Sequence, residues 1–347
     1  PVRTIERAPC GVPFSWLRAI RHHHAMAFDF DAAVSAPFRM QPGLRRLAAG
    51  TPQLTPLAPG SRHQREKLAV LSAFWPQALC AVPGFDAAPA LAALYAHAGQ
   101  EHPAAWAWDG QLAVARRLGT AVSDDGEVLQ LEAGSFGLGD EVARCLLGLP
   151  TAWRQPGLAS LAFAEDFAIV DGSTGTIPWL AVALPSHWAP EEKLGRHFSE
   201  VHGPVADNTL LLKATAGLLR LATGAERWER FVWNVSDHPR LHAHPARVDP
   251  QRWRHTAPAG AWWRTEHQTF IPLPAQAQAV FTIHVEVQPL ADALDTPQRA
   301  AALHDTIASM SPAVLAYRNL AGVREALLAW LAQRAAQGED PRAIHAP

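Results

Sequence analysis

The sequence predicts an α+β protein: an antiparallel sheet with helices packed around it. Three observations carry this. Residues 264–270 and 280–288 alternate in side-chain character as strands do, and the short linker 273–278 joins them as a hairpin. A helical stretch at 190–221 separates this hairpin from an earlier pair of strands. After the hairpin, Leu320, Val323, Leu327 and Leu331 recur at helical spacing.

The elements follow in order. Residues 1–60, rich in Pro, Arg and Gly, are read as an N-terminal arm over the core, with His22, His23 and His24 exposed. Residues 61–155 are read as a mainly helical segment. Within it 64–79 is amphipathic, 87–98 is rich in Ala and Leu, and 139–149 places Val142, Cys145 and Leu146 at helical spacing. The period changes near residue 160, where 161–170 and 179–184 read as strands around the turn-rich 171–175. Pro190 opens a helix where a missing N–H costs nothing, with Glu191 and Glu192 in its first turn. On that helix Leu194, Phe198 and His202 fall at i, i+4 and i+8, forming one stripe that Gly203 and Pro204 end. A second helix covers 208–221. Residues 156–292 are read as the core domain and 293–347 as C-terminal helices, with Thr296-Pro297 and Ser311-Pro312 as cap-plus-proline starts.

Bulk properties narrow the function. The 347 residues are 48% hydrophobic and 18% charged, a composition that folds rather than stays disordered. A formal net charge of −2 provides no field for nucleic acid or anionic lipid, so neither is an expected partner. Cys10, Cys80 and Cys145 have neither paired nor metal-ligand spacing, which fits a reducing compartment. No apolar run approaches the roughly 18 residues of a membrane span, and the N-terminus lacks a basic-then-apolar export pattern. The cytoplasm is the expected location.

Common catalytic signatures are missing. The sequence has no Gly-x-Gly-x-x-Gly after a strand, phosphate loop, His-Glu-x-x-His, Cys-x-x-Cys or Gly-x-Ser-x-Gly. Without Cys-x-x-Cys-His, any haem must be held non-covalently. Of the 17 histidines, His238, His242, His244 and His255 sit among Pro and Arg and are read as solvated. His202 differs, because it shares an apolar face with Leu194 and Phe198. It is either a core histidine bonded to a carbonyl or an axial haem ligand with apolar neighbours against the porphyrin. Arg264, Glu266 and Gln268 share one strand face, either as a salt-bridge ladder with His284 and Glu286 or as the lining of a polar pocket. Thirteen tryptophans offer flat surfaces to a planar cofactor and are equally at home in an ordinary core.

Several segments then align in order. They are Pro37-Phe38-Arg39-Met40 with Gly43-Leu44, then Ala164-Glu165-Asp166-Phe167, and Pro185-Ser186-His187-Trp188 followed by Glu192-Lys193-Leu194-Gly195-Arg196. Val201-His202-Gly203-Pro204-Val205, Asn234 with Ser236, Arg264-Thr265-Glu266-His267-Gln268 and Phe281-Thr282-Ile283 complete the set. Together the chain resembles the haem-dependent oxidative N-demethylases, in their α subunit. The resemblance implies a PAS-like haem-binding core over 156–292 and b-type haem. It implies oxygen-dependent demethylation of a small secondary amine such as dimethylamine, giving primary amine and formaldehyde. Partner subunits carrying flavin and an iron–sulfur centre would relay electrons from NADPH. Carried over by position, His202 is the axial iron ligand, with Phe198 beside the macrocycle. Lys193, Arg196 and Arg264 would neutralise haem propionates. Glu266 and Gln268 would orient the amine or oxygen. His187 and His197 fall where the family pattern does not require histidine. The chain departs from that pattern at Ala206, Val235, His267 and His284, the last two replacing arginine. Two other readings stand beside this one: a non-enzymatic PAS-like haem or ligand sensor, and a haem-free structural subunit of an amine-oxidising complex.

Overall fold

The computed structural model describes residues 3–4 and 28–337, so Cys10 and the run His22 to His24 lie outside the described residues. Two compact units interleave along the chain. One takes Leu54–Trp75 and Leu91–Ala164; the other takes Phe28–Gln53, Pro76–Ala90 and the chain from Glu165 onward. No helix among the described residues is long and apolar enough to cross a membrane.

Strand β1 (Arg3–Thr4) is followed by helix α1 (Phe30–Ala33), whose Ala32 N–H donates to the Asp29 carboxylate, and by strand β2 (Arg45–Arg46). Helix α2 (Arg62–Ala78) departs from helical geometry at Phe74, two residues before Pro76. A proline has no N–H to give and crowds the preceding turn. Next come β3 (Leu79–Ala81), α3 (Ala88–Glu101), β4 (Trp106–Trp108), β5 (Ala113–Ala115), β6 (Thr120–Val122) and β7 (Val128–Gln130). Residues 61–155, expected to be mainly helical, thus also hold most of a small sheet ordered β1-β7-β6-β5-β4. Strands of three residues are too brief for a period of two to register. Helix α4 (Glu141–Leu147) buries Val142, Cys145 and Leu146, in line with their spacing. The strand expected over 161–170 begins only at Asp166, because helix α5 (Arg154–Ala162) occupies the preceding stretch. Every residue of α5 from Pro156 on is buried, and a helix covered all round shows no apolar stripe.

In the larger unit β8 (Asp166–Asp171) and β9 (Thr176–Ala181) form a hairpin, followed by the short helices α6 (Phe198–Val201), α7 (Thr209–Lys213) and α8 (Thr215–Ala222). Strands β10 (Trp228–Ser236), β11 (Trp262–Leu273) and β12 (Gln278–Pro289) come next. The chain continues as α9 (Leu290–Ala293), α10 (Pro297–Ala308), α11 (Pro312–Tyr317) and α12 (Arg324–Ala336). The seven-stranded sheet runs β2-β10-β11-β12-β8-β9-β3, antiparallel throughout, and β11 and β12 form the expected hairpin. Thr296 and Ser311 accept the N–H groups of Arg299 and Val314, capping α10 and α11 as the sequence predicts.

Register sorts this sheet into two faces. Glu266 lies opposite Val285, Gln268 opposite Ile283 and Arg264 opposite Val287. His284 is instead the partner of His267, and Glu286 of Thr265, on the far face. The ladder with His284 and Glu286 is therefore excluded, and the face bearing Glu266 is the one that Phe198, Leu219 and Ala222 cover through Phe270 and Phe281. Trp188 and Leu194 add to this cover over Ala168, Leu180 and Val182. The C-terminal helices pack on the far face, where Trp233 and Trp263 stack at 5.0 Å within an ordinary core.

Candidate functional site

The site is built around His202, which the fold presents differently from a single helical stripe. The expected helix from Pro190 is broken. A 3₁₀ turn over Pro190–Glu192 ends before Gly195 at φ +68°, leaving Leu194 in a turn, and α6 starts afresh at Phe198. The restart is capped at both ends of its first turn. His197 Nδ1 accepts the Ser199 N–H at 3.2 Å, and the His197 N–H donates back to Glu200 Oε2 at 3.0 Å. His202 is the C-cap residue of this one-turn helix, and its ring lies 4.0 Å from that of Phe198. Nδ1 sits 2.8 Å from the Phe198 carbonyl oxygen. A carbonyl only accepts, so Nδ1 carries the hydrogen and Nε2 keeps its lone pair. Among the described residues Nε2 has no hydrogen-bond partner. Burial pushes the His202 pKa down to about 4, the Phe198 carbonyl resists, and the charges of Arg230 and Lys193 lower it further. The imidazole is neutral at pH 7.

The sheet supplies the opposite wall. Arg230 on β10 is directly across from Gln268, and Glu266 lies two residues along β11 on the same face. Gln268 donates its amide N–H to Glu266 Oε2. Arg230 Nε is sealed from solvent and makes no hydrogen bond. Burial lowers the Arg230 pKa, opposed by the nearby charges of Glu266 and Tyr317. Burial likewise raises Tyr317, which ends α11 half-exposed. Sequence reasoning missed both Arg230 and Tyr317. Trp228–Ser236 mixes Trp, Glu, Arg, Phe, Val and Asn without clean alternation, since polar and apolar side chains share both of its faces, so no strand was expected there. Tyr317 is brought in only by tertiary folding.

The expected cationic residues take separate positions. Lys193 is near enough to His202 to affect its protonation, and its ammonium has no hydrogen-bond partner among the described residues. Arg196 is exposed and donates Nε–H to the Glu192 carbonyl at 2.7 Å. Arg264 is 2% exposed and is committed elsewhere: it donates to Ser186 Oγ and to the carbonyls of Leu184, Pro185, Arg240 and Leu241. It ties two loops to the sheet.

The remaining histidines sort by environment. His255 is exposed, as expected, but the solvated reading fails for the others. His244 is 3% exposed and bonded to Glu191, and His242 Nδ1 donates to the Ala183 carbonyl. The His238 ring lies 5.3 Å from that of His187, whose Nδ1 accepts from Arg252 at 3.1 Å. On the far face His267 bonds Glu229 at 2.8 Å, while His284 pairs with Glu165 and Glu286. The two positions that depart from arginine thus face each other, away from the His202 side of the sheet. The smaller unit has a cavity of about 330 Å³ lined by Leu68, Leu71, Ser72, Glu141, Arg144 and Cys145. Its charged groups satisfy one another, since Arg144 pairs with Asp140 and Glu141.

A neutral histidine with an oriented lone pair, apolar rings beside it and unspent cations nearby suits an anionic porphyrin with a metal centre. Residues 157–328 match the family model for haem-dependent oxidative N-demethylase, alpha subunit-like. The chain belongs to this family. The matched span contains His202, Arg230, Glu266, Gln268 and Tyr317. The family name describes a haem-dependent oxidative demethylase and an α subunit, one component of a larger enzyme. No curated protein matches the chain.

Proposed function

We propose that this chain holds haem b non-covalently through His202 Nε2 and demethylates a small secondary amine with O2, using electrons from reductase partner subunits. The carrying observation is the 2.8 Å contact between His202 Nδ1 and the Phe198 carbonyl. It fixes the tautomer and ring orientation, as a second hydrogen bond on a ligating histidine does. The five strands from β8 to β12 are ordered second, first, fifth, fourth, third, with the short helices between the second and third. That layout supports the PAS-like reading of the core.

When bound, haem supplies the oxidising chemistry at its iron, with the protein setting binding and orientation. Phe198 and the covering apolar side chains would pack against the macrocycle. Lys193 and Arg196 would neutralise its propionates. Arg264, with five donor contacts already made, keeps the loops of the wall in place instead. Glu266 is 8% exposed and takes the ammonium proton of the incoming amine at a carboxylate oxygen. Gln268 holds that carboxylate in position through its amide. In the overall reaction two electrons come from the amine's methyl group and two from the partners, which relay them from NADPH through flavin and an iron–sulfur centre. One oxygen atom ends in formaldehyde and the other in water, as the C–N bond breaks.

Absorbance of the protein expressed with adequate haem tests this reading. A Soret band is expected in the parent chain. In His202→Ala haem affinity is expected to fall by roughly 100-fold or more, losing a ligand rather than only its support. A parent protein with no Soret band overturns the proposal.

A further inference from the structure

The wall facing His202 holds two opposite charges that do not meet. Arg230 and Glu266 are diagonal neighbours on adjacent strands, a relation that places Cα atoms about 7–8 Å apart and lets long side chains touch. Glu266 nevertheless bonds the Gln268 amide and forms no ion pair among the described residues. Arg230 Nε is buried without a partner. Leaving such charges apart in a dry site costs stability, unless a ligand completes both. On that face β12 presents only apolar side chains such as Phe281 and Ile283, while on β11 the Gln268 amide is engaged with Glu266 and Arg264 with Ser186 and loop carbonyls.

We propose that the substrate of this site is a zwitterion, an N-methyl amino acid whose secondary ammonium faces Glu266 and whose carboxylate faces Arg230. The proposal rests on the demethylase reading of the site and names its substrate class. A guanidinium fork pairs with a carboxylate through two parallel hydrogen bonds, so Arg230 is suited to the anionic end. Tyr317 is near enough for both charges to act on its hydroxyl. A plain dialkylamine carries no anion and leaves Arg230 unpaired. Sites built to hydrogen-bond a group reject ligands that lack it far more strongly than they reject a missing methylene. The chemistry balances as for any N-methyl amine. The methyl carbon is oxidised to formaldehyde, the second oxygen atom leaves as water with two electrons and two protons from the partners, and the product is the primary amino acid with its carboxylate unchanged.

Calorimetric titration of the full-length chain, supplied with haem, tests this with N-methylglycine and dimethylamine as probes. N-methylglycine is expected to bind at least about tenfold tighter, a difference of 1.4 kcal/mol. Arg230→Gln should erase that difference and Arg230→Lys should keep part of it, with circular dichroism of both variants unchanged. Equal affinity for the two amines overturns the proposal. So does an Arg230→Gln variant that still prefers N-methylglycine, or one that loses its Soret band while the parent shows no preference, since the guanidinium then serves a haem propionate. A parent chain that takes up no haem but prefers N-methylglycine through Arg230 sustains the zwitterion site and removes the oxidative reading, so the two failures are distinct.

Discussion

At the residue scale, the neutral state of His202 is as important as its position. Protonated imidazole cannot bind a metal, and a ligand with an ordinary pKa would begin to lose haem below pH 6.5. With its pKa near 4, His202 should hold haem with nearly constant affinity from pH 8 down to about 5. Haem titrations across that range check this. A steep loss centred at pH 6.5 would show that the imidazole is not desolvated. Arg264 carries a different prediction. Its guanidinium satisfies carbonyls from 184–185 and 240–241, so Arg264→Ala leaves several buried acceptors bare. The expected destabilisation is about 3–5 kcal/mol, read as a shift of the urea midpoint. Neither residue's environment could be read along the chain. The sequence marked His202 by its apolar neighbours and Arg264 by its alternation with Glu266 and Gln268. Which of them is unspent, and which is bonded on all sides, depends on loops distant in sequence.

At the element scale, α6 is a single turn that would not persist alone, since isolated helices this short are unstable. Its cap by His197 and Glu200 is what sets the angle of His202. His197→Ala should cost about 1 kcal/mol of stability. It should also speed haem loss relative to the parent, measured by transfer to apomyoglobin, even though His197 is not placed on the iron. Gly175, at φ +70°, supports the same turn: a Cβ there would approach His197 Nε2 to 2.5 Å. What was legible at this scale followed periodicity. The β11–β12 hairpin, the capped starts of α10 and α11 and the apolar stripe of α12 all lie where the pattern puts them, because alternation, cap residues and helical spacing are each local in sequence. Helix α5 was not legible because it is covered all round from Pro156 on, and strand β10 was not because Glu229, Arg230 and Asn234 interrupt any alternation along it. The continuous helix from Pro190 failed for a local reason. Gly195 takes a left-handed conformation that ends the turn, and i+4 spacing on either side of it carries no information about that.

At the scale of the whole molecule, the α+β class and its antiparallel sheet followed from the sequence, and the family follows from residues 157–328. The buried histidines set how the fold responds to pH. Burial lowers His187 to about 2 and His238 to about 4, with nearby arginines adding to both, and His202 is also held near 4. Below an unfolded pKa of about 6.5 the unfolded chain binds protons that these folded imidazoles refuse, so stability falls as pH drops. His284 acts with the opposite sign. Burial disfavours its charge, but Glu165 and Glu286 raise its pKa to about 9. Its contribution is complete below pH 6.5 and is lost as pH rises through 9. Urea midpoints measured from pH 4 to 10 should therefore peak between about 6.5 and 8, and His284→Gln should flatten the alkaline limb while leaving the acid limb in place.

The facing pair His267 and His284 also couples the charge of two adjacent strands. One member of the pair holds a proton and the other is kept neutral partly by its neighbour's charge. Restoring arginine at 267 alone would set a permanent cation across the strand from protonated His284, and restoring it at 284 alone would make the protonation of His267 still harder. The charge at each position therefore depends on which residue occupies the other.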